Sequence, residues 1–266
     1  MIDSKTQAEL RTRFNPEGSR LRELQLHILD ILIEIDRICR ENNIQYWMSG
    51  GTLLGAIRHG GFIPWDDDID IEMYEEDYLR FKEVVSKKGF SKDCLKFQDH
   101  STDSQYYGLH GKVVDTSIVQ KDIFGQDMKY RYKGIFVDVF IVKKSIRLVY
   151  VFCQSYERII GRMLMKASES DKWGVLLKLF YMVVYRGLIT PVNYLCSLFS
   201  NEYFLSNGHR WKAVPRSKSF ILPVRQYCFE GHQFYGPADA NKYLSLIYGE
   251  YLKIPKINEI KKHVEV

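Results

Sequence analysis

Between Asp66 and Asp77 the chain places eight carboxylates and no basic residue. Acidic runs are normally solvated loops, because crowded like charges repel and gain from water. In this run Ile69, Ile71 and Met73 alternate with Asp68, Asp70 and Glu72, the two-residue period of a half-buried strand. A strand of that kind fastens its acids to a core. Alternation also sets Asp68 and Asp70 on one face, roughly 6–7 Å apart along the chain. Carboxylates held that close need a cation between them, and hard oxygen ligands with room for phosphate select Mg²⁺ or Mn²⁺. Asp66 shares the face if the strand begins early, and Asp67 is then expected to point away. The spacing of Asp66, Asp68 and Asp70 also fits the first ligands of an EF-hand. That loop needs Gly sixth and Glu twelfth, where this chain has Ile71 and Asp77. A β-branched residue does not make that turn easily, which removes the EF-hand.

Two further features belong with the acids. Ile44 to Ser49 reads as a short strand, Gly50-Gly51 breaks it, and Thr52 to Arg58 reads as a helix. Glycines let backbone approach a ligand, and a helix N-terminus offers free N–H groups to phosphate. An ordinary tight turn is the plainer alternative. Asp138 stands alone in the apolar run Gly134-Ile-Phe-Val-Asp-Val-Phe-Ile-Val142. An acid there must be paired, hydrogen-bonded or metal-bound. Sheet pairing beside Asp68 and Asp70 would make it a third carboxylate of one site; a structural hydrogen bond to a loop is the other reading. Arg58 and His59 follow the short helix, and Lys112 precedes Asp115 on a strand-like stretch. All three basic residues are candidate phosphate contacts, with structural or surface roles as alternatives. Trp65 is expected to pack in the core.

The rest of the chain supplies a scaffold. Leu21, Leu24, Ile28, Ile31, Leu32, Ile35 and Ile38 recur at helical spacing, predicting a helix over 20–43. A helix is expected over 75–88, strands near 95–98, 106–114 and 135–142, helices through 146–205 and a helix over 238–250. This order predicts an α+β fold with a small mixed sheet. Three regions follow: a catalytic core over 1–144, a basic helical subdomain over 145–210, and a part over 211–266 that completes the core.

Charge is uneven. From Lys143 to Arg225 there are 14 Lys/Arg against four Asp/Glu, a composition suited to meeting anions. A membrane surface, a polyanionic glycan, a nucleotide donor or plain helical packing would each suit it; no nucleic-acid motif is present. The five cysteines are widely spaced with no CxxC pair, which disfavours a zinc site or disulfide framework and fits the cytoplasm. The polar stretch 1–20 is not a secretion signal, and no run of 18 uncharged apolar residues predicts a membrane span.

The block from Gly50 to Asp70 resembles the signature of the LicD family, whose relatives include fukutin and fukutin-related protein. Scattered matches extend the likeness: Gly134 to Phe140, Phe229-Glu230-Gly231, Tyr243-Leu244, and Tyr248-Gly249-Glu250-Tyr251 with Pro255. Residues 145–210 do not match, and only Pro255 stands where the family often has paired prolines. The resemblance implies a nucleotidyltransferase-like core and transfer of a phospho-alcohol from a CDP-linked donor to a sugar hydroxyl of a surface glycan such as lipopolysaccharide or teichoic acid. Phosphocholine is the first choice of cargo, with phosphoribitol and phosphoglycerol behind it. Carried onto this chain, Asp68 and Asp70 bind the metal, Asp66 assists or binds a second ion, and Asp138 completes the site or takes the acceptor proton. Gly50, Gly51 and Thr52 face the diphosphate. The acceptor is a glycan, free or lipid-linked, and the chain itself is expected in the cytoplasm, peripheral at the inner face of the membrane. A nucleotidyltransferase releasing pyrophosphate and a non-catalytic binding protein are the alternatives.

Overall fold

The computed structural model describes residues 2–106, 108–118, 130–166, 172–205, 214–255 and 260. Of the expected helical region, 167–171 and 206–210 lie outside these residues, as do 211–213, 256–259 and 261–266 of the expected C-terminal part.

The order is α1 (Ser4–Phe14), α2 (Arg20–Glu41), β1 (Trp47–Met48), α3 (Gly50–His59), β2 (Asp70–Tyr74), α4 (Glu75–Lys88), β3 (Leu95–Gln98), β4 (Gly111–Asp115), β5 (Ile135–Lys144), α5 (Arg147–Lys166), α6 (Lys172–Val184), α7 (Thr190–Leu198), β6 (Tyr203–Leu205), α8 (Lys218–Ile221), β7 (Arg225–Phe229), β8 (His232–Gly236) and α9 (Ala240–Tyr248). The fold is α+β. Strands run β1-β2-β5-β4-β3, with β6 also on β5, in a mixed sheet whose β2–β5 pair is parallel.

Helix α2 forms where the apolar stripe predicts it. Ser19 Oγ accepts from the Arg22 N–H to cap its start, and Ile28, Leu32 and Ile35 are buried. The helix packs on β4 and β5. Helix α4 covers 75–88 as its spacing predicts, with acids in its first turn and lysines in its last, both favourable to the helix dipole. The polar N-terminus also folds: Asp3 caps α1 through Thr6, and Leu10 and Phe14 are buried. The C-terminal part enters the main core through Phe229, Phe234, Tyr243 and Leu244. Between α6 and α7 one turn, Tyr185–Ile189, widens to π geometry.

Several expectations need correction: the strand expected over 44–49 is limited to Trp47–Met48, the helix expected from Thr52 begins at Gly50, and 203–205, expected as helix, pair with β5 as β6. The acidic strand begins at Asp70, so Asp66, Asp67 and Asp68 lie in the loop before it. It is not half-buried either: Glu72 is as enclosed as Ile71 and Met73, because distant residues cover its face. In the stretch expected over 106–114 the strand runs from Gly111 to Asp115, and Tyr106 instead closes a turn on the Asp103 carbonyl.

Candidate active site

The parallel pairing of β2 with β5 aligns Asp70 with Asp138 as Cα partners. Laterally paired residues leave a sheet on the same side, so both carboxylates emerge together. Lys112 on β4 is the partner of Asp138 on its other flank. Three neighbouring strands thus present acid, acid and base in one row.

The Gly-Gly turn is stitched to the start of β2. Ser49 N–H donates to the Asp70 carbonyl at 3.0 Å, and Asp70 N–H donates to Thr52 Oγ1 at 2.8 Å. Gly50 takes a φ of +51°, and a Cβ there would lie 3.0 Å from Asp70 Oδ2. A Cβ at Gly51 would lie 2.5 Å from Asp66 Oδ2. Bare backbone at the N-terminus of α3 is therefore what lets these two carboxylates approach. Asp66 is held from behind, since Gln25 Nε2 on α2 donates to its carbonyl at 2.8 Å.

Asp66, Asp67 and Asp68 each offer an oxygen within 4.8 Å of the others. Asp67, expected to point away, joins this group because the segment turns as a loop rather than alternating as a strand. Burial raises the Asp66 carboxyl well above its usual range, and the charges of Asp68 and Asp67 add to that. Burial likewise raises Asp70, reinforced by Asp68, Asp138 and Asp66. Asp138 goes the other way: burial opposes ionisation, but Lys112 and His110 outweigh it and hold the carboxyl at about 2. Lys112 Nζ is 3.4 Å from Asp138 Oδ1, and His110 Nε2 is 3.0 Å away. The three loop carboxylates are a donor set suited to a hard divalent cation, whereas Asp70 and Asp138, paired on the sheet, do not join that group of mutually close oxygens.

The remaining candidates are tied into the protein. Arg58 is buried, donating to His59 Nε2 at 2.9 Å and to the carbonyls of Tyr251 at 2.9 Å and Lys253 at 3.3 Å. His59 Nδ1 lies 2.6 Å from Gln7 Oε1. Both rings of His59 and Phe14 pack against Trp65, which is a packing residue as expected. The Thr52 hydroxyl accepts from Asp70, and Lys112 faces Asp138 rather than open solvent. Asp115 sits at the other end of β4 and closes a turn on Ser117.

Sequence reasoning missed three contributors. Glu72 is 1% exposed and accepts from Arg216 Nε and Nη2, from the Tyr243 hydroxyl at 2.7 Å and from Trp47 Nε1 at 3.0 Å. Its partner lies 144 residues away, so no local pattern could announce the pair. Glu230 sits in the β7–β8 turn with a φ of +49°, unusual for a residue with a side chain. Its carboxylate accepts from Arg22 Nη2 at 2.7 Å and from the Phe62 N–H at 3.0 Å, bracing the turn that leads into Asp66. Gly61 leaves room for it. The third is His110, one residue before β4 in a turn-rich stretch.

A small mixed sheet that gathers carboxylates at a parallel pair and at the glycine turn before it defines a nucleotidyltransferase-like domain. The family model for the LicD/FKTN/FKRP nucleotidyltransferase domain matches residues 43–149. Over 268 aligned residues the chain is 30% identical to the lipopolysaccharide cholinephosphotransferase LicD of Haemophilus influenzae, covering 91% of this chain and 95% of that protein. The chain belongs to the LicD family. It is also 49% identical over 55 residues to human ribitol 5-phosphate transferase FKRP, covering 18% of this chain and 11% of that protein. An uncharacterised protein of Rickettsia typhi is 42% identical over 60 residues, covering 23% of this chain and 19% of its own length.

Proposed function

We propose that this chain transfers a phospho-alcohol, phosphocholine first, from a CDP-linked donor to a sugar hydroxyl of a surface-glycan precursor, releasing CMP. The observation that carries it is the row Asp70, Asp138 and Lys112 beside the loop acids, in a chain similar along most of its length to a cholinephosphotransferase. In the reaction the acceptor oxygen bonds to the phosphorus bearing the alcohol. The bond from that phosphorus to the bridging oxygen breaks, and CMP leaves with its electrons. The acceptor hydroxyl passes its proton to a carboxylate of the site, with Asp138 the candidate.

Asp66, Asp68, Asp70 and Asp138 would hold Mg²⁺ or Mn²⁺, and Asp67 would assist. When bound, the ion supplies charge neutralisation of the diphosphate and of the leaving phosphate. Gly50 and Gly51 give the donor a backbone surface without side chains, next to the free N–H groups of α3. Asp138, whose carboxyl Lys112 and His110 hold below its usual range, would complete the metal site or take the acceptor's proton. Arg58 and His59 act by fastening α3 to the C-terminal turn and to α1, and Lys112 sets the charge of Asp138. A glycan precursor at the cytoplasmic face, free or lipid-linked, fits this reading.

The test is CMP release from CDP-choline, CDP-ribitol and CDP-glycerol with Mg²⁺ and a glycan acceptor. CMP with a phosphorylated glycan is the expected product. Pyrophosphate with a nucleotidylated acceptor would establish the nucleotidyltransferase alternative instead. An unchanged rate in Asp70→Ala would remove the site.

A further inference from the structure

Seventeen of the twenty-one large apolar side chains that stand exposed among the described residues fall between Leu148 and Phe199. They follow helical spacing. Leu148, Phe152 and Ile159 line one side of α5, and Trp173, Leu176, Phe180 and Val183 line α6, all open to solvent. A surface helix ordinarily turns its polar face outward. Here Tyr150, Tyr181 and Ile189 fill the inward side, and a second apolar stripe is left outside.

We propose that α5, α6 and α7 form a docking surface for an anionic lipid bilayer, lying on it rather than crossing it. Charge argues for that occupant. Residues 147–199 carry Arg147, Arg158, Arg162, Lys166, Lys172, Lys178 and Arg186 against Glu157, Glu169 and Asp171. Basic residues among exposed apolar stripes are the composition of interfacial helices, and the basic excess draws them to anionic headgroups. Trp173 and Phe199, 77% and 89% exposed, supply the aromatic anchors favoured at a membrane surface. A second copy is the weaker occupant: a two-fold interface would bring together two copies of this net basic segment, and like charges would oppose it. No helix among the described residues is long and apolar enough to cross a membrane.

On its inward side, away from the docking face, the helical layer adjoins the core near the carboxylates. A cavity of about 250 Å³ is lined by Tyr181 and Tyr185 from the helical layer and by Asp99 and His110 from the core. His110 reaches Asp138. Docking would hold the site about one helix diameter from the lipid surface. This inference stands apart from the transfer reading, because vesicle binding is measured without donor or acceptor.

The experiment is co-sedimentation of the full chain with phosphatidylcholine vesicles, with and without phosphatidylglycerol. Binding to the anionic vesicles, weakened by salt, is expected. The double variant Trp173→Glu/Phe180→Glu and the single variant Phe199→Glu are each expected to bind at least about tenfold more weakly, with unchanged thermal melting. Leu79→Glu, exposed on α4 outside the layer, should bind as the parent does. A parent chain that ignores both kinds of vesicle overturns the proposal, as does undiminished binding by a folded Phe199→Glu. Dimers in light scattering that Phe199→Glu dissociates, with no vesicle binding, would assign the face to a second copy.

Discussion

Asp70 on β2 and Asp138 on β5 are directly paired across a parallel ladder, yet their carboxyls are driven in opposite directions. Burial and neighbouring acids raise Asp70, while Lys112 and His110 lower Asp138. The two aspartates should therefore respond oppositely to loss of charge. Without divalent ion, Asp70→Asn is expected to stabilise the fold by about 1 kcal/mol, since it removes a repelled charge. Asp138→Asn should cost about 1–2 kcal/mol, because it strands Lys112 and His110. Both should lower turnover by about a thousandfold or more. Thermal melting in chelator, beside CMP release, checks the pair.

Gly51 tests the close approach at the loop. An added Cβ would meet Asp66 Oδ2 at 2.5 Å, so Gly51→Ala must displace that carboxylate. The side chain can swing away, so stability should change by less than about 1 kcal/mol. Turnover should fall by about ten- to a hundredfold through the misplaced ligand. Steady-state rates against Mg²⁺ concentration provide the measurement, with a raised metal requirement expected.

The buried pair behind the site predicts a strong asymmetry. Glu72→Ala leaves the Arg216 guanidinium enclosed without its anion, which should cost about 3–5 kcal/mol. Replacing both partners, as Glu72→Gln with Arg216→Met, should recover most of that loss. Urea unfolding of the two variants and the parent decides it.

His59 gives a pH dependence whose sign is fixed by its partners. Burial, and then the charges of Arg58 and Arg11, push its pKa from 6.5 down to about 3. Its Nε2 accepts from Arg58, so the folded ring stays neutral. The unfolded chain takes up a proton below pH 6.5 and the folded chain does not until about 3. Stability should drain as pH falls through that window, by about 2 kcal/mol at pH 5. His59→Asn should flatten this slope, read from denaturant midpoints between pH 7 and 5.

How far the sequence could be read depended on the distance over which each residue is satisfied. Helix α4 is legible because its period, acidic start and basic end all lie within 75–88. The alignment of Asp138 with Asp70 is an expectation that an isolated acid in an apolar strand already raises, because desolvation demands a partner. Glu72 reads in the sequence only as one acid on the polar face of a half-buried strand, since Arg216 and Tyr243, which enclose it, arrive from the far end of the chain. Asp67 was misassigned because alternation was extended into a loop. Arg58 and His59 look like phosphate ligands in a motif, but the carbonyls and the Gln7 amide that engage them leave no local trace.

Glu230 closes the account of the scaffold. From a hairpin beyond the stretch matched by the family model, it ties α2 to the turn ahead of the loop acids. Arg216 and Tyr243, which neutralise Glu72, come from beyond that stretch as well. A graft of residues 43–149 into another host would carry the acids and leave their supports behind. The heritable unit of this chemistry is thus longer than its signature, and chimeras between relatives should be cut outside Tyr251 rather than after β5.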